Sequence, residues 1–310
     1  MESRHLVTGE GRNDQSTAVV ELRPILKWPG GKRQVLPAIR PFVPSTYRRY
    51  IEPFLGGGAV LFDLSPPRAI VNDVNAELIS LYQTIRDFPD ELIATLTSFP
   101  VTSDFYYELR AWDRDPDVFL RHSDTERAAR TVYLNRTVFN GLYRVNRRGQ
   151  FNGSWGKYVD PRVCDEGLIR RMSDYLSTNQ IEFRNGDFSE TVAEAGEGDF
   201  LYADPPYSPP DNATSAFTRY TPDGFDHQSL VTLKDSLDCA TERGAFWLLS
   251  NVRSELTLRM FPESRYVIKE IRVSRRINTN ASGRGAIPEI LVHPRHKVSA
   301  ISVVQAVSHP

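Results

Sequence analysis

The sequence is poor in cysteine and has no long apolar run, and each shortage narrows the possible functions. Its two cysteines, Cys164 and Cys239, are too few for a disulfide framework, which favours a reducing, cytoplasmic location. It contains no stretch of about 18 apolar residues that would span a bilayer, so we expect no membrane partner. The six histidines are scattered without the spacing of a metal site, so we expect no metal.

Two common catalytic signatures are also missing. Pro29-Gly30-Gly31-Lys32 lacks the spacing of a phosphate-binding loop, and Arg33 stands where that loop needs serine or threonine, which argues against a P-loop NTPase. No Gly-x-Ser-x-Gly elbow of a hydrolase occurs. With 40% hydrophobic and 25% charged residues, the chain is too apolar to be disordered. Its length suits two domains or one domain with an insertion.

The net charge of −1 conceals two basic segments on an acidic body. Residues 127–162 carry a net charge of +7 and residues 253–297 carry +6, which leaves −14 for the remainder. A solvated surface is one interpretation of either segment. Residues 139–158, however, interleave basic side chains with aromatic, glycine and asparagine residues, and this mixture suits contact with phosphates and bases. The near-neutral total therefore does not exclude DNA binding.

The pattern of apolar residues predicts an α/β fold with a parallel, doubly wound sheet, because strands and helices alternate at short spacing. Between these alternating parts, residues 88–174 are dominated by helical patterns, which predicts a mostly helical insertion. Residues 1–21 are polar and predict a disordered leader, and the tail 298–310 is uninformative. The predicted strands are residues 50–54, 69–73, 181–184, 199–203, 245–250, 266–273 and 289–292, the last two forming a closing antiparallel pair, and helices are predicted at 59–64, 76–86, 91–96, 105–112, 126–135 and 227–240.

The tetrapeptide Asp204-Pro205-Pro206-Tyr207 follows an apolar strand, where open α/β sheets place their ligands. Two consecutive prolines lack N–H donors and have a fixed φ, so their carbonyl groups are held outward without partners. The corner is therefore a pocket of hydrogen-bond acceptors beside the Tyr207 ring, which fits a planar amine such as that of adenine or cytosine. A proline-stiffened turn with an exposed tyrosine is the alternative interpretation.

Three glycines follow the first predicted strand in Glu52-Pro53-Phe54-Leu55-Gly56-Gly57-Gly58. Such glycines let the backbone approach a ligand at the N-terminus of the next helix. Asp73 ends the second predicted strand 15 residues beyond Gly58, which suits the acid that binds ribose in nucleotide sites. A glycine turn alone is a weak signal, but here the strand, loop, helix and acid occur in order.

These motifs and several others resemble, in the same order, those of the Dam-type (D12 class) DNA adenine-N6 methyltransferases. The resemblance covers residues 25–292 and rests on segments 26–32, 52–60, 72–75, 133–136, 139–144, 149–152, 156–158, 204–207, 217–220 and 250–251. It implies an enzyme that transfers a methyl group from S-adenosylmethionine to N6 of an adenine in duplex DNA, with S-adenosylhomocysteine as product.

The resemblance also implies an architecture and a cofactor site. Residues 22–87 and 175–297 form a Rossmann-like catalytic domain that binds S-adenosylmethionine, and residues 88–174 form an inserted, mostly helical target-recognition domain. Phe54, Gly56 and Gly58 belong to the loop that holds the methionine end of the cofactor. The catalytic residues are Asp204, Pro205, Pro206 and Tyr207, and the remaining cofactor-binding residues are Trp28, Lys32, Asp73, Asp187, Phe188 and, again, Asp204.

For DNA, the resemblance implies a flipped-out target base that stacks on Tyr207. Phe139 matches an aromatic wedge and Arg144 a guanine reader, as arginine fits O6 and N7 of guanine. The leading target is GATC, although Gly153-Ser154 replaces the usual Val-Pro of the family and leaves the outer base pair open. The other expected DNA contacts are Lys27, Arg136, Asn140, Leu142, Arg147, Arg148 and Tyr158.

Two alternatives remain open from the residues alone. The acceptor corner also suits cytosine-N4 or an RNA amine, and a DNA-binding module that has lost catalysis is a further, weaker alternative. For a DNA methyltransferase we expect duplex DNA as partner and a location at the nucleoid, and a cognate restriction endonuclease for the same site is a candidate partner.

Overall fold

The structure is a computed structural model that describes residues 22–141, 143–146, 148–206, 225–273 and 287–295. The predicted leader and tail lie outside the described residues, as do Leu142, Arg147 and Tyr207 among the expected site residues.

The described residues form a seven-stranded sheet with the strand order β3-β2-β1-β4-β5-β7-β6. The first five strands of this order are parallel, whereas β7 runs antiparallel to both β5 and β6. This confirms the predicted mixed α/β class and the closing antiparallel pair. The strands are β1 Tyr50–Glu52, β2 Arg68–Asn72, β3 Gln180–Arg184, β4 Phe200–Ala203, β5 Phe246–Val252, β6 Tyr266–Val273 and β7 Ile287–Pro294.

Helices connect the parallel strands, and five of them lie between residues 89 and 178, on either side of a loop. They are α1 Leu36–Ile39, α2 Ala59–Leu64, α3 Ala76–Asp87, α4 Pro89–Ser98, α5 Ser103–Ala111, α6 Pro116–Phe119, α7 Asp124–Thr137, α8 Glu166–Thr178, α9 Phe188–Ala193, α10 His227–Glu242 and α11 Glu255–Met260. Short 3-10 turns lie at Lys32–Gln34, Arg40–Phe42, Trp112–Arg114 and Phe139–Gly141.

The sheet divides the core into two apolar clusters, because successive side chains of a strand point to opposite faces. In β4, Phe200 and Tyr202 belong to one cluster, and Leu201 and Ala203 belong to the other. All four are fully buried, as is typical of a parallel strand covered on both faces. The centre of the sheet is therefore fixed from both sides, which holds the residues after β4 in place.

The helical part of the chain packs on one face of this sheet. Val132 of α7 and Met172 of α8 are buried in the same apolar cluster as Leu81 of α3. Helix α7 begins at a capping box, in which Ser123 and Glu126 bond each other's backbone N–H. Helix α8 passes through position 174 without a break. The helical residues thus share a core with the sheet.

A basic loop, residues 139–158, follows α7. Two isolated antiparallel bridges, Val138 with Trp155 and Val145 with Phe151, hold its strands together. The Asn146 side chain accepts from the backbone N–H groups of Arg148 and Gln150 and so closes the turn at its tip.

Candidate active site

Acidic residues stand at the carboxyl ends of three neighbouring strands. Glu52 ends β1, Asp73 directly follows β2 and Asp204 directly follows β4. Since these strands are adjacent and parallel, their carboxyl ends lie at one edge of the sheet, where open α/β sheets bind ligands. The site is therefore built by the order of the strands.

Asp204 lies in a buried group of charges with Lys32 and Glu289. Lys32 Nζ is 3.0 Å from Asp204 Oδ1 and 3.4 Å from Glu289 Oε2. The side chains of Lys32 and Glu289 are only 5% and 7% exposed, whereas that of Asp204 is 19% exposed. Burial raises the pKa of Asp204 to about 6, although Lys32 opposes this rise and Glu289 adds to it. Asp204 is thus an ionisable acceptor that remains open to the site.

Glu52 is a buried acid behind this group. Its carboxyl group accepts a hydrogen bond of 2.9 Å from the Tyr50 hydroxyl. Burial raises its pKa well above the usual range, and the charges of Asp204 and Asp73 raise it further. Burial therefore favours the neutral form of the Glu52 carboxyl group.

The glycine loop bends around Asp73. Gly56 and Gly58 have positive φ values of 50° and 67°, which side chains other than glycine rarely adopt. The Gly56 N–H donates to one Asp73 oxygen at 2.8 Å, and the Asn75 N–H donates to the other at 2.9 Å. A carboxylate accepts about four hydrogen bonds, so Asp73 retains capacity for a ligand. Burial raises the pKa of Asp73.

Trp28 covers the outer side of this loop. A Cβ atom at Gly56 would lie 3.0 Å from Trp28 Cδ1, and one at Gly57 would lie 3.0 Å from Trp28 Cβ. The indole therefore packs directly on the glycine backbone, and larger residues at either position would displace it.

Three phenylalanines form an aromatic cluster on the far side of the loop. The ring of Phe54 lies 5.2 Å from that of Phe188 and 5.8 Å from that of Phe225. Sequence reasoning identified the first two but missed Phe225, which precedes α10. Asp187 is exposed, and its carboxylate accepts from the Ser189 N–H as the N-cap of α9, so it stabilises the helix start beside the cluster.

The basic loop concentrates the positive charge of residues 127–162. Arg127, Arg130 and Arg162 are paired with Asp124, Asp113 and Asp165 respectively. In contrast, the exposed side chains of Arg144, Arg148 and Lys157 form no ion pair with any described residue. The open charge of this segment therefore lies on the loop and not on its helix.

Aromatic side chains accompany these charges. Phe139 is 53% exposed and Tyr158 is 36% exposed, so both rings are accessible from solvent beside these charges. Asn140 adopts a left-handed φ of 58° between Phe139 and Gly141. The exposed Lys27 brings its ammonium to 6.0 Å from the centre of the Tyr158 ring, so these two expected DNA contacts are neighbours.

Arg136 differs from the other expected DNA contacts because it is half-buried. Burial and the charge of Arg23 lower its pKa, and Asp165 opposes them. Its Nε atom has no hydrogen-bond partner among the described residues.

Comparison with known proteins assigns the family. A model of the D12 class N6 adenine-specific DNA methyltransferases matches residues 28–277. The chain belongs to this family. A relative from Lactococcus lactis subsp. cremoris, the type II methyltransferase M1.LlaDCHI, is 43% identical over 88% of this chain and 95% of its own.

Two further relatives agree with this assignment. The type II methyltransferase M.MjaIII of Methanocaldococcus jannaschii is 33% identical over 88% of this chain and 99% of its own. The DNA adenine methylase of Escherichia coli strain K12 is 30% identical over 87% of this chain and 94% of its own. The resemblance found in the sequence is confirmed: the protein is an N6 adenine-specific DNA methyltransferase, which favours adenine in DNA over cytosine-N4 or RNA.

Sequence reasoning missed two acids of this methyltransferase site. Glu52 was noticed only as part of a motif, and Glu289 was not noticed, because a single glutamate in an apolar strand usually indicates a solvent-facing position. Its separation of 257 residues from Lys32 removes any local signal. Their burial, 2% and 5% exposed, is what identifies them, since glutamate is rarely buried without a partner.

Two features do not occur among the described residues of this methyltransferase. In the part of the chain that the structure describes, no group of three or more His, Cys, Asp or Glu side chains is arranged to hold a metal ion. Within the same residues, no helix is both long enough and apolar enough to cross a bilayer.

Proposed function

We propose that this methyltransferase uses S-adenosylmethionine to methylate N6 of an adenine that is rotated out of duplex DNA, within GATC. The observation that carries the proposal is the corner after β4, where the Asp204 carboxylate, 3.0 Å from Lys32 Nζ, lies beside the Pro205-Pro206 backbone. Asp204, Pro205, Pro206 and Tyr207 are the proposed catalytic residues.

The residues at the edge of the sheet fit S-adenosylmethionine. When bound, this cofactor supplies an electrophilic methyl group on a sulfonium cation. The charges of Asp73, Asp204 and Glu289 exceed that of Lys32, so the pocket favours a cation. Asp73 has capacity for a ribose hydroxyl, and the rings of Phe54 and Phe188 offer an apolar surface for adenine. Gly56, Gly58, Trp28 and Asp187 complete the proposed cofactor site.

The Asp204 carboxylate and the Pro205 carbonyl activate the target amine by accepting hydrogen bonds from its two N–H groups. The N6 lone pair of adenine is delocalised into the ring, so the amine is a poor nucleophile. Two acceptors on its two hydrogens favour a pyramidal nitrogen with a localised lone pair. Because the prolines fix the backbone, the acceptors are in place before the base arrives, and orientation supplies much of the rate.

The proton that leaves nitrogen needs an acceptor. Attack of the lone pair on the methyl carbon of bound S-adenosylmethionine would form an N–C bond while the S–C bond breaks, with S-adenosylhomocysteine as the leaving group. N6 would then be a methylated, positively charged amine with two hydrogens. This strongly acidic group releases one proton, and the Asp204 carboxylate is the nearest base. A pKa of about 6 allows Asp204 to take the proton and then return it to solvent at neutral pH.

The basic loop is the proposed DNA face, within a recognition domain of residues 88–174. Arg144 is exposed there and free to read guanine, while Phe139 is exposed to enter the base stack and Lys27 lies against Tyr158. Arg148 contacts phosphate, and we place Arg136 at the rim of the same face. The proposed DNA contacts also include Asn140, Leu142 and Arg147, and the flipped base is proposed to stack on Tyr207. We propose a location at the nucleoid and a cognate endonuclease as a possible partner.

One experiment tests reaction, base and target together. The protein is produced in a host without adenine methylation, and the genomic DNA is sequenced with detection of N6-methyladenine. We expect methylation of every GATC and of no other site. Methylation of a different sequence would overturn the target alone, whereas unmodified DNA from cells with soluble, S-adenosylmethionine-binding protein would overturn the reaction.

A matched pair of variants tests the DNA face. Arg148→Gln removes a charge that has no ion pair among described residues, and Arg127→Gln removes one that Asp124 already neutralises. We expect Arg148→Gln to reduce the slope of log affinity against log salt by about one and Arg127→Gln to leave it nearly unchanged. Equal slopes for both variants would contradict our assignment.

A further inference from the structure

Asn135, near the end of α7, is fully buried and uses both ends of its amide on one distant residue. Its Oδ1 accepts from the Lys27 backbone N–H at 2.8 Å, and its Nδ2 donates to the Lys27 backbone carbonyl at 3.0 Å. The two residues are 108 positions apart. An asparagine inside a helix usually competes with its own backbone, so this pairing is a specific connection between α7 and the Lys27 segment.

The basic loop contacts the same segment at two more points. A Cβ atom at Gly141, which has a φ of 65°, would lie 2.5 Å from Lys27 Cδ, so the loop backbone passes directly over this side chain. The Tyr143 ring stacks on Trp28 with centroids 4.6 Å apart. Its hydroxyl also interacts with Asn75, whose N–H bonds the Asp73 carboxylate. The loop thus rests on residues that border the glycine loop.

The other side of the Lys27–Trp28 segment forms a wall of the proposed cofactor pocket. The Trp28 indole packs on the backbone of Gly56 and Gly57. Four residues further along the chain, Lys32 reaches Asp204. A displacement of the Lys27 backbone therefore reaches both the glycine loop and the acceptor corner.

We propose that Asn135 is a positioning residue that couples DNA engagement by the basic loop to the affinity of the cofactor pocket. The proposal rests on the proposed DNA face and cofactor site. Helix α7 leads directly into the basic loop, so DNA that binds the loop also acts on α7 and, through the Asn135 amide, on the Lys27–Trp28 wall. By linkage, cofactor binding strengthens DNA binding by the same factor.

The test measures this coupling with a cofactor that cannot react. The affinity for S-adenosylhomocysteine is measured by calorimetry without DNA and with a duplex that carries the methylated site found by sequencing. We expect DNA to tighten binding to the parent protein by at least about fivefold. In Asn135→Asp, which keeps the acceptor but replaces the donor to the Lys27 carbonyl by an oxygen, the factor should fall to about two or less.

Thr131→Val is the matched control. Thr131 lies one turn before Asn135 on α7 and is also buried, but among the described residues its hydroxyl bonds only the Arg127 carbonyl of its own helix. We expect this variant to keep the full coupling factor. Tyr143→Leu is a second test that places no charge in the core, and it should also reduce coupling because it removes the ring from Trp28.

The outcomes separate the two proposals. Failure of the parent protein to bind S-adenosylhomocysteine at all would overturn the proposed cofactor. Binding that does not respond to DNA in the parent, or full coupling in folded Asn135→Asp or Tyr143→Leu, would overturn the positioning role and leave the proposed function intact. Thermal unfolding of each variant establishes that it is folded. If Asn135→Asp does not fold, the coupling factor of Tyr143→Leu decides whether the positioning role holds.

Discussion

Strand β4 carries an aspartate at each end, and the two are held in opposite ways. Asp199 precedes the strand and Asp204 follows it. The Asp199 side chain is fully buried, yet its pKa lies below the usual value, because hydrogen bonds from Arg49 and Arg48 outweigh the effect of burial. Asp204 has one ammonium neighbour that Glu289 shares, and its pKa rises to about 6.

This difference indicates that the aspartates at the two ends of β4 have different functions. The N-terminal end is neutralised: Arg48 and Arg49 each place two nitrogens within 3.3 Å of the Asp199 oxygens, and the Gly196 N–H donates as well. At the C-terminal end the carboxylate is left with unsatisfied capacity. Asp199 therefore stabilises the fold at the start of β4, whereas Asp204 keeps the capacity to accept hydrogen bonds at its end.

The largest expected effect comes from Asp204→Asn. The amide presents hydrogens where the target amine needs an acceptor, so we expect methyl transfer to fall by about 10²–10⁴-fold. The raised pKa of Asp204 means that its buried, ionised carboxylate does not favour folding above pH 6, so stability should change by less than about 1 kcal/mol. Transfer of labelled methyl groups and thermal unfolding measure the two effects. If Asp204→Asn lost stability but retained methyl transfer, Asp204 would be a stabilising residue like Asp199 and not the acceptor for the target amine.

Asp199→Asn is expected to show the converse pattern. Because it leaves two arginines without their buried partner, we expect the free energy of unfolding to fall by about 2–3 kcal/mol, measured by urea denaturation. Asp199 has a lowered pKa in the folded state, so its contribution is present above its ordinary value and is lost as pH falls. The difference in stability between the parent and the variant should therefore shrink as pH falls below about 4, while transfer per folded molecule equals that of the parent at each pH.

Glu289→Gln tests the origin of the raised pKa at the other end. In the parent, kcat should rise with pH through an apparent pKa near 6 as Asp204 loses its proton. Removing the Glu289 charge takes away one cause of the raised pKa, so the acid limb should move to lower pH by about 0.5–1 unit. Glu270→Gln, on the same hairpin but exposed and paired with Arg253, is the control. An unmoved limb, or one at higher pH, would show that Glu289 does not act on Asp204.

Arg48→Gln should give the smallest effect. Its side chain is 53% exposed, and Arg49 still bonds both oxygens of Asp199. We therefore expect a loss below about 1 kcal/mol by urea denaturation. A loss as large as that of Asp199→Asn would mean that the two arginines do not share the carboxylate.

The fold could be predicted from the sequence where the signal is local. Helix α2 and strand β6 occur at the predicted residues, because each is an apolar segment between clear turn residues. Strand β1 is shorter than predicted and ends at Glu52, since Pro53 has no N–H for a sheet. The helices of residues 88–174 share a core with the sheet, so they are not marked off as a separate domain. The proposed role of these residues in target recognition remains a prediction.

The site could be predicted only in part, for a physical reason. Asp73, Asp204 and the glycines lie in contiguous motifs at strand ends, so their placement at one edge follows from the strand order. Glu289 and Asn135 act through single long-range contacts, with Lys32 and with the Lys27 backbone, and such contacts leave no periodicity in the sequence. Phe225 is likewise one ring among many until packing brings it to Phe54.

Glu289 belongs to β7, which inserts antiparallel between β5 and β6, while its partner Lys32 precedes β1. The chain is made from its N-terminus, so a ribosome has synthesised every segment on which the family resemblance rests before it reaches this strand. A nascent chain that stops before β7 has Lys32, the glycine loop and the proline corner, but β5 still has an open edge and Asp204 lacks one of its buried neighbours. Assembly of the charge group around Asp204 therefore has to wait until β7 has been synthesised.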